Sequence, residues 1–584
     1  MLSKPARGLA VLPALAGLLG FSSQPAHACG GTFCDNTIIP MPVDQTGEDI
    51  LFIRDGSDIE VHIRIRYMGE AERFAWVVPL QALPEVRVGS EPLFAALSQT
   101  TAPAWQPIRS YECPDENPSA DGGADTADSG VHFDLGGGPE IVFQDTVGSF
   151  DVVVLQGGSA AEVIDFLTAN DYAQDPEAEP ILQEYLDEGF LFAAVKLAAD
   201  ADVDQIHPLS FRFPGDEPCV PIRLTRIAAS EDMGIRTYFL GQARWAPSNY
   251  EHVVVNPLRY DWNSASGIFG YDELLSLAAD EAGGKAFATD YAGASSSVPT
   301  GALWSPNWDE TAFINADPID AIGLIGEQGL ASQPLIQPLL MQFIPPPDGI
   351  DPNFFWNNIA SFADQIDLLA WDGPAFAAAL SERIIEPGLH ALDLIEAWPY
   401  LTRLSTTMSP VEMTLDPTFH ANPDLPEVEA QVSSACQVQC GGDQLFEIAV
   451  GAADAQVCVP ESTQWPDFDM PAALRIEQIP MTGPAQVVLD NEAAILATLA
   501  TQQAGVQCLS DADTTGTGTE GTGTSTSTSA GDEVAADESE TAPTYDLPYD
   551  TTCGCASSPA EAPLAIGLAL FVLAAIAPRR PRDR

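Results

Sequence analysis

The chain has 584 residues, 46% of them hydrophobic, with 23 Lys+Arg against 84 Asp+Glu and a formal net charge of −61. That apolar fraction can bury a sizeable core, which argues against global disorder despite the charge. The acid excess argues against a nucleic-acid partner, because phosphate binding needs clustered Lys/Arg; lysine occurs only at Lys4, Lys196 and Lys285, so the body has no polybasic membrane patch.

Residues 1–28 read as a secretory signal. Lys4 and Arg7 form the positive region, Gly8 to Phe21 the apolar core, and Ala26-His27-Ala28 a small-residue cleavage motif between Ala28 and Cys29. Lipidation of Cys29 is the alternative. The first part of the body, 29–265, reads as strands. Ile50–Ile53 leads into the turn cluster Asp55-Gly56-Ser57-Asp58. Then Ile59, Val61, Ile63, Ile65 and Tyr67 alternate with Glu60, His62, Arg64 and Arg66, which predicts a half-buried strand and a hairpin. Phe74–Val78 predicts a buried strand ended by Pro79. Further strands are predicted near 140–146, 151–155, 208–213, 219–228 and 235–240. Ser159-Ala160-Ala161-Glu162 is a capping box opening a helix over Val163 to Ala169, and a second helix is predicted over 178–188.

From about 270 to 405 the pattern shifts to helix. Leu274, Leu275, Leu277 and Ala278 share a face that stops at Gly283-Gly284; 355–370, 374–386 and 389–404 also read as helical. Residues 431–510 form a Cys-containing segment of short strands with a helix near 491–503. The fold class is therefore α+β: a β-rich N-terminal half of antiparallel strands, a helical middle and a small Cys-containing C-terminal segment. Residues 115–134 read as an acidic surface loop.

The C-terminus has three parts. Residues 511–552 are a Thr/Ser/Gly/acidic run that cannot bury enough surface to fold; as a random coil it would span about 36 Å. Cys553-Gly554-Cys555 follows. Ala562 to Pro578 is an apolar run at the short limit for a transmembrane helix, ended by Arg579, Arg580, Arg582 and Arg584. The expected membrane partner is reached through this helix or its processed Cys.

Eight cysteines lie in the body: Cys29, Cys34, Cys113, Cys219, Cys436, Cys440, Cys458 and Cys508. An even count in an exported chain favours disulfides, with pairing expected within the set 29, 34, 113, 219 and within the set 436, 440, 458, 508. Zinc is the competing reading, but neither CGGTFC nor CQVQC has C-x2-C spacing or a nearby His pair.

Two resemblances attach to these residues. The sequence ACGGTFC at 28–34 followed by PVDQ at 42–45, FAWVVPL at 74–80, DVVVLQ at 151–156, PCVPIRLTRIAASEDMGI at 218–235 and APSNYEHVVVNP at 246–257 is similar to an exported bacterial domain-of-unknown-function family, number 2330. TRLSTTMSPVEMTLDP at 402–417 and NPDLPEV at 422–428 resemble its closing region, so the resemblance covers about 28–430. It implies export and a shared fold and supplies no catalytic residues. The order of linker, Cys553-Gly554-Cys555, apolar helix and arginines resembles the MYXO-CTERM sorting tail of myxobacterial exported proteins, which implies processing near the cysteines and display at the cell surface.

No H-E-x-x-H, G-x-S-x-G or phosphate-binding loop occurs. The histidines of the mature chain, His62, His132, His207, His252, His390 and His420, have no metal-ligand spacing, and His62 on a polar strand face reads as a solvated or hydrogen-bonded imidazole. Trp76 and Trp245 read as core. Asp121, Asp125 and Asp128 have oxygens for calcium but lack the spacing of a calcium loop, so a solvated loop is expected. Cys219 has Arg223 and Arg226 nearby, yet the prolines around it favour a scaffold role over a reactive thiol. No catalytic residue, cofactor or metal is expected. The sequence reads as a surface-anchored, disulfide-stapled binding or structural module of the cell envelope, with an envelope protein or polysaccharide as ligand. The alternative is an envelope hydrolase with a site built from dispersed carboxylates.

Overall fold

Ten strands drawn from almost the whole body pair into one sheet. Across it they run Gln486–Asp490, Ala473–Gln478, Glu251–Val255, Ala286–Ala294, Tyr400–Met408, Ala229–Gly241, Asp44–Asp55, Asp58–Met68, Leu209–Pro214 and Glu85–Val88. The computed structural model describes residues 44–68, 75–111, 139–170, 172, 177–198, 205–263, 270–366, 371–439, 442–460, 464–506 and 508. The signal segment, Cys29, Cys34, Cys113, Cys440, the acidic loop 115–134 with Asp121, Asp125 and Asp128, His132, the linker 511–552 and the tail with Cys553, Cys555 and the 562–578 helix lie outside the described residues. Among the described residues no helix is long and apolar enough to cross a membrane.

The predicted hairpin forms. Asp44–Asp55 pairs antiparallel with Asp58–Met68, closing at Asp55 opposite Asp58. Gly56 sits at φ 64°, the left-handed geometry that a two-residue hairpin loop requires. The first strand then pairs in parallel with Ala229–Gly241, and Glu251–Val255 is parallel to Ala286–Ala294. The sheet is therefore mixed, not purely antiparallel.

Both faces of this sheet are covered. One face, with Ile50, Phe52, Val61, Phe211 and Phe239, packs on a second sheet ordered Ala75–Leu80, Leu191–Leu197, Phe150–Gln156, Glu140–Val147 through Trp76, Val152 and Val195. Helices Ala160–Ala169 and Ala178–Asp187 cover the outer side of that second sheet. The other face of the large sheet, with Leu51, Ile53, Tyr238 and Leu240, packs on helices Glu91–Thr101 and Glu386–Ala397 through Phe94, Leu97, Ala391 and Leu394. Residues 304–385 carry a helical core of their own. Strands Gln431–Val438, Gln444–Val450 and Ala453–Val459 pair with Ala104–Tyr111 in a further sheet, packed with helix Tyr271–Glu281 and helix Glu492–Gln502. Strands from 29–265, 266–430 and 431–510 thus share one sheet.

Several expectations are corrected. Pro79 continues its strand, opposite Phe192, because Ala75–Leu80 lies at a sheet edge where the missing N–H costs no ladder bond. Residues 219–228 are not a strand: Pro218 and Pro221 lack donors, the Arg223 N–H goes to Asp416, and Ile222–Thr225 is a single helical turn. Residues 355–370 break into helix Pro352–Asn357 and the 3-10 turn Ile359–Gln365. The helical middle contains two strands, Ala286–Ala294 and Tyr400–Met408; the second takes the end of the predicted helix 389–404, as Tyr400 to Met408 read as a β-branched and aliphatic run with every residue from Leu401 buried. Finally, the polar side of strand 58–68 is not solvated. Glu60 is 4% exposed and His62 2%, because helix Glu386–Ala397 lies over them.

Candidate functional site

A sheet buried on both faces must pair whatever charges it carries. Asp49, 2% exposed, receives Arg64 Nη2 at 2.7 Å, Arg66 Nε at 3.4 Å and Arg236 Nη1 at 3.9 Å. Arg64 also donates to Glu91 at 2.5 Å. On neighbouring strands, Asp290 accepts from Tyr271 at 2.5 Å and from Ser405, and pairs with Arg403 Nε at 2.9 Å. These groups are locked to one another and hold strands in register.

A second polar row opens into a cleft of about 610 Å³. Its walls include Val253, Val255, Val432 and Leu474, and strands Glu251–Val255, Ala286–Ala294 and Ala473–Gln478 contribute to them. His252 and Glu477 lie directly opposite in antiparallel register, so the imidazole Nδ1 meets Glu477 Oε2 at 3.1 Å. Parallel pairing on the other side brings Thr289 Oγ1 to 2.9 Å from His252 Nε2. Arg244 Nη2 donates to the same hydroxyl at 2.8 Å, and its Nη1 donates to the Pro426 carbonyl.

Burial holds His252 below its ordinary pKa, and the Arg244 charge adds to this against the opposing pull of Glu477. The neutral ring has one consistent set of bonds. Arg244 donates to Thr289, the Thr289 hydroxyl donates to His252 Nε2, and His252 Nδ1–H donates to Glu477. The His252 hydrogen bond in turn keeps Glu477 below the usual carboxylate range despite burial. The row is a hydroxyl, an imidazole and a carboxylate in that order, with the imidazole oriented by the carboxylate.

A third cluster lies under helix Glu386–Ala397. Glu60 Oε1 accepts from His62 Nε2 at 2.8 Å and from His390 Nε2 at 2.5 Å, and Glu60 Oε2 accepts from Arg212 at 3.3 Å. Burial would raise Glu60, but the bonds from His390 and His62 and their charge outweigh it and hold the carboxyl well below the usual range. These three side chains are the group among the described residues able to hold a metal ion.

The structure places the predicted cysteines as follows. Cys458 and Cys508 are joined, with Cα atoms 5.7 Å apart, and both belong to the expected C-terminal set. Among the described residues Cys219 and Cys436 are not in a disulfide; the other candidates Cys29, Cys34, Cys113 and Cys440 lie outside the described residues. Cys219 is packed beside Asp416, and burial together with that carboxylate pushes its thiol well above the ordinary range, against the pull of Arg223. That is the opposite of an activated nucleophile. Trp76 and Trp245 are buried in the core. Neither His252 nor Glu60 and His390 were singled out from sequence. For His252 a signal exists: it opens the apolar run His252–Val255, where an imidazole has to be buried and partnered. For Glu60 and His390 the partners are 330 positions apart.

Residues 24–301 match the family model described as "Uncharacterized protein conserved in bacteria (DUF2330)". The matched span includes Glu60, His62, Arg244, His252 and Thr289. It ends before His390 and Glu477, and before the segments 402–417 and 422–428 that resembled the family's closing region. No curated protein and no solved structure matches the chain.

Proposed function

We propose that the protein is an exported, surface-anchored binding module of the cell envelope that takes its ligand in the cleft lined by Arg244, His252, Thr289 and Glu477. The observation that carries this reading is the cleft itself: aliphatic walls with a small, fixed polar row is the usual make-up of a ligand site. The secretory segment, the acidic linker and the Cys-helix-Arg tail supply export and display. Envelope polysaccharide or an extended peptide from an envelope protein is the ligand class, since either offers hydroxyl or amide groups for Arg244 and Glu477 along an apolar face. Titrating the purified protein with solubilised envelope glycans and peptides tests the binding. Saturable binding lost in Arg244→Ala supports it; equal binding by wild type and Arg244→Ala removes the cleft from the function. Deleting 556–584 tests the anchor: release into the medium is expected, and unchanged cell association would place the anchor at Cys29 or elsewhere.

One observation favours a hydrolase, though with a hydroxyl, an imidazole and a single carboxylate in place of the expected dispersed carboxylates. Thr289, His252 and Glu477 stand in the order nucleophile, base, orienting carboxylate, with hydrogen-bond contacts of 2.9 and 3.1 Å. Covalent labelling of Thr289 by an acylating probe, abolished in His252→Ala, would turn the binding row into a catalytic one.

A further inference from the structure

We propose that Glu60, His62 and His390 form a binding site for a first-row divalent metal ion, zinc foremost. The strand Asp58–Met68 has period two, so Glu60 and His62 emerge on one face as neighbours. Helix Glu386–Ala397 crosses that face and brings His390, whose ring stacks on that of His62 with centroids 5.8 Å apart. The three ligand atoms lie within 4.8 Å of one another. Two imidazole nitrogens and one carboxylate oxygen are a donor set that suits zinc and its first-row neighbours.

The geometry is close to what an ion needs. Both Nε2 atoms point at the same oxygen, Glu60 Oε1, at 2.8 and 2.5 Å. Bonds of about 2.1 Å in a tetrahedron set donors about 3.4 Å apart. The carboxylate has to withdraw by less than an ångström or so for an ion to replace the two bridging protons. A purely structural network does not need two imidazoles on one oxygen, since Arg212 already serves Oε2.

Charge points the same way. Arg212 bonds Asp55 and Asp58 as well as Glu60, so one guanidinium faces three carboxylates. Three carboxylates around one guanidinium make this an oxygen-rich, acidic neighbourhood, which suits a divalent cation. Access is available on one side: the His390 side chain is 32% exposed, whereas those of Glu60 and His62 are 5% and 2% exposed. Three protein ligands and an approachable fourth position are the arrangement that keeps a water or ligand on the ion. Among the described residues His62 Nδ1 has no partner, so the hydrogen bond that orients the imidazole in the most tightly held zinc sites is missing and affinity is lower by about ten- to a hundredfold than in a fully supported site.

The test uses the full chain, stripped with chelator and titrated with Zn²⁺ by calorimetry and with Co²⁺ by visible absorption. One ion per chain is expected, with a Co²⁺ spectrum of nitrogen and oxygen ligands and no thiolate charge-transfer band, which separates this site from Cys219, Cys436 and other cysteines. His390→Ala, in a partly exposed position on the helix, should keep the fold and weaken binding by at least about tenfold. Glu60→Gln is the second variant and should do the same. His252→Ala should leave metal binding unchanged. Absence of a stoichiometric ion in wild type, or equal affinity in wild type and folded His390→Ala, overturns the proposal.

Discussion

The backbone N–H of Ser149 donates to Nε2 of His207 at 3.1 Å, and the same ring donates from Nδ1 to the Pro208 carbonyl at 2.8 Å. Only the neutral tautomer fits, because a proton on Nε2 would face the Ser149 N–H. The turn that presents this N–H needs Gly148: its φ is 62°, and a Cβ there would stand 2.3 Å from His207 Nε2. Burial, with a smaller push from the Arg383 charge, lowers the His207 pKa to about 4 despite the Pro208 bond. The unfolded chain therefore binds the extra proton first, and stability falls as pH drops from about 6.5 to about 4. The loss is about 3 kcal/mol. Denaturant unfolding of His207→Gln at pH 7 and pH 4 should show a smaller difference than wild type by about that amount; an equal difference refutes the assignment.

Glu48 has the opposite sign. Fully buried beside Asp49, with Oε2 unpartnered among the described residues, it is raised to about 7, chiefly by desolvation. Here the native state holds the proton longer, so its contribution is present below about pH 4.5 and is lost as pH rises toward 7 and above. Glu48→Gln mimics the protonated acid. It should match wild type near pH 4 and exceed it by up to about 3 kcal/mol at pH 8. A variant that is less stable at both pH values would show that the carboxylate form is the one the fold needs.

Asp416 ties two distant segments together. It accepts from the Arg223 backbone N–H at 3.0 Å, from Arg223 Nε at 2.9 Å and from Tyr185 at 3.0 Å, while the guanidinium stacks 4.2 Å over the Tyr185 ring. Asp416→Ala leaves a largely buried arginine with one fewer counter-charge and a buried hydroxyl unsatisfied. A loss of about 3–5 kcal/mol is expected from chemical denaturation. Less than 1 kcal/mol would mean that Glu188, 2.6 Å from the same guanidinium, suffices.

The Cys458–Cys508 bridge closes a loop of sequence separation 50 that contains strands Ala473–Gln478 and Gln486–Asp490 and helix Glu492–Gln502. Loop entropy makes it worth about 4 kcal/mol. Cys508→Ser should lower the melting temperature of this segment, read by hydrogen exchange at Ile495 and Leu499, and leave exchange at Val152 and Phe239 unchanged. Uniform loss across the molecule would show that the segment unfolds together with the large sheet.

Local pattern was enough for much of the molecule. The Asp55–Asp58 turn, the alternation after it, the capping box at Ser159 and Glu162 and the stop at Gly283-Gly284 each have their cause within a few residues, and each element forms where that cause lies. The same alternation could show only that Glu60 and His62 face away from Ile59 and Val61. Whether that side meets water or protein depends on helix Glu386–Ala397, whose position is set by packing of Ala391, Leu394 and Ile395 against Leu51 and Leu240.

By itself the sequence determined the acidity, the α+β class, the hairpin and the placement of individual helices, because these follow from composition and short-range periodicity. Tertiary structure alone decided that Tyr400–Met408 is a central strand, that Cys219 lies half-buried opposite Thr418, that His252 meets Thr289 and Glu477, and that His390 meets Glu60. Each of these depends on a neighbour more than 35 positions away in the chain. Side-chain chemistry along one strand does not specify the partner that burial in a shared sheet supplies.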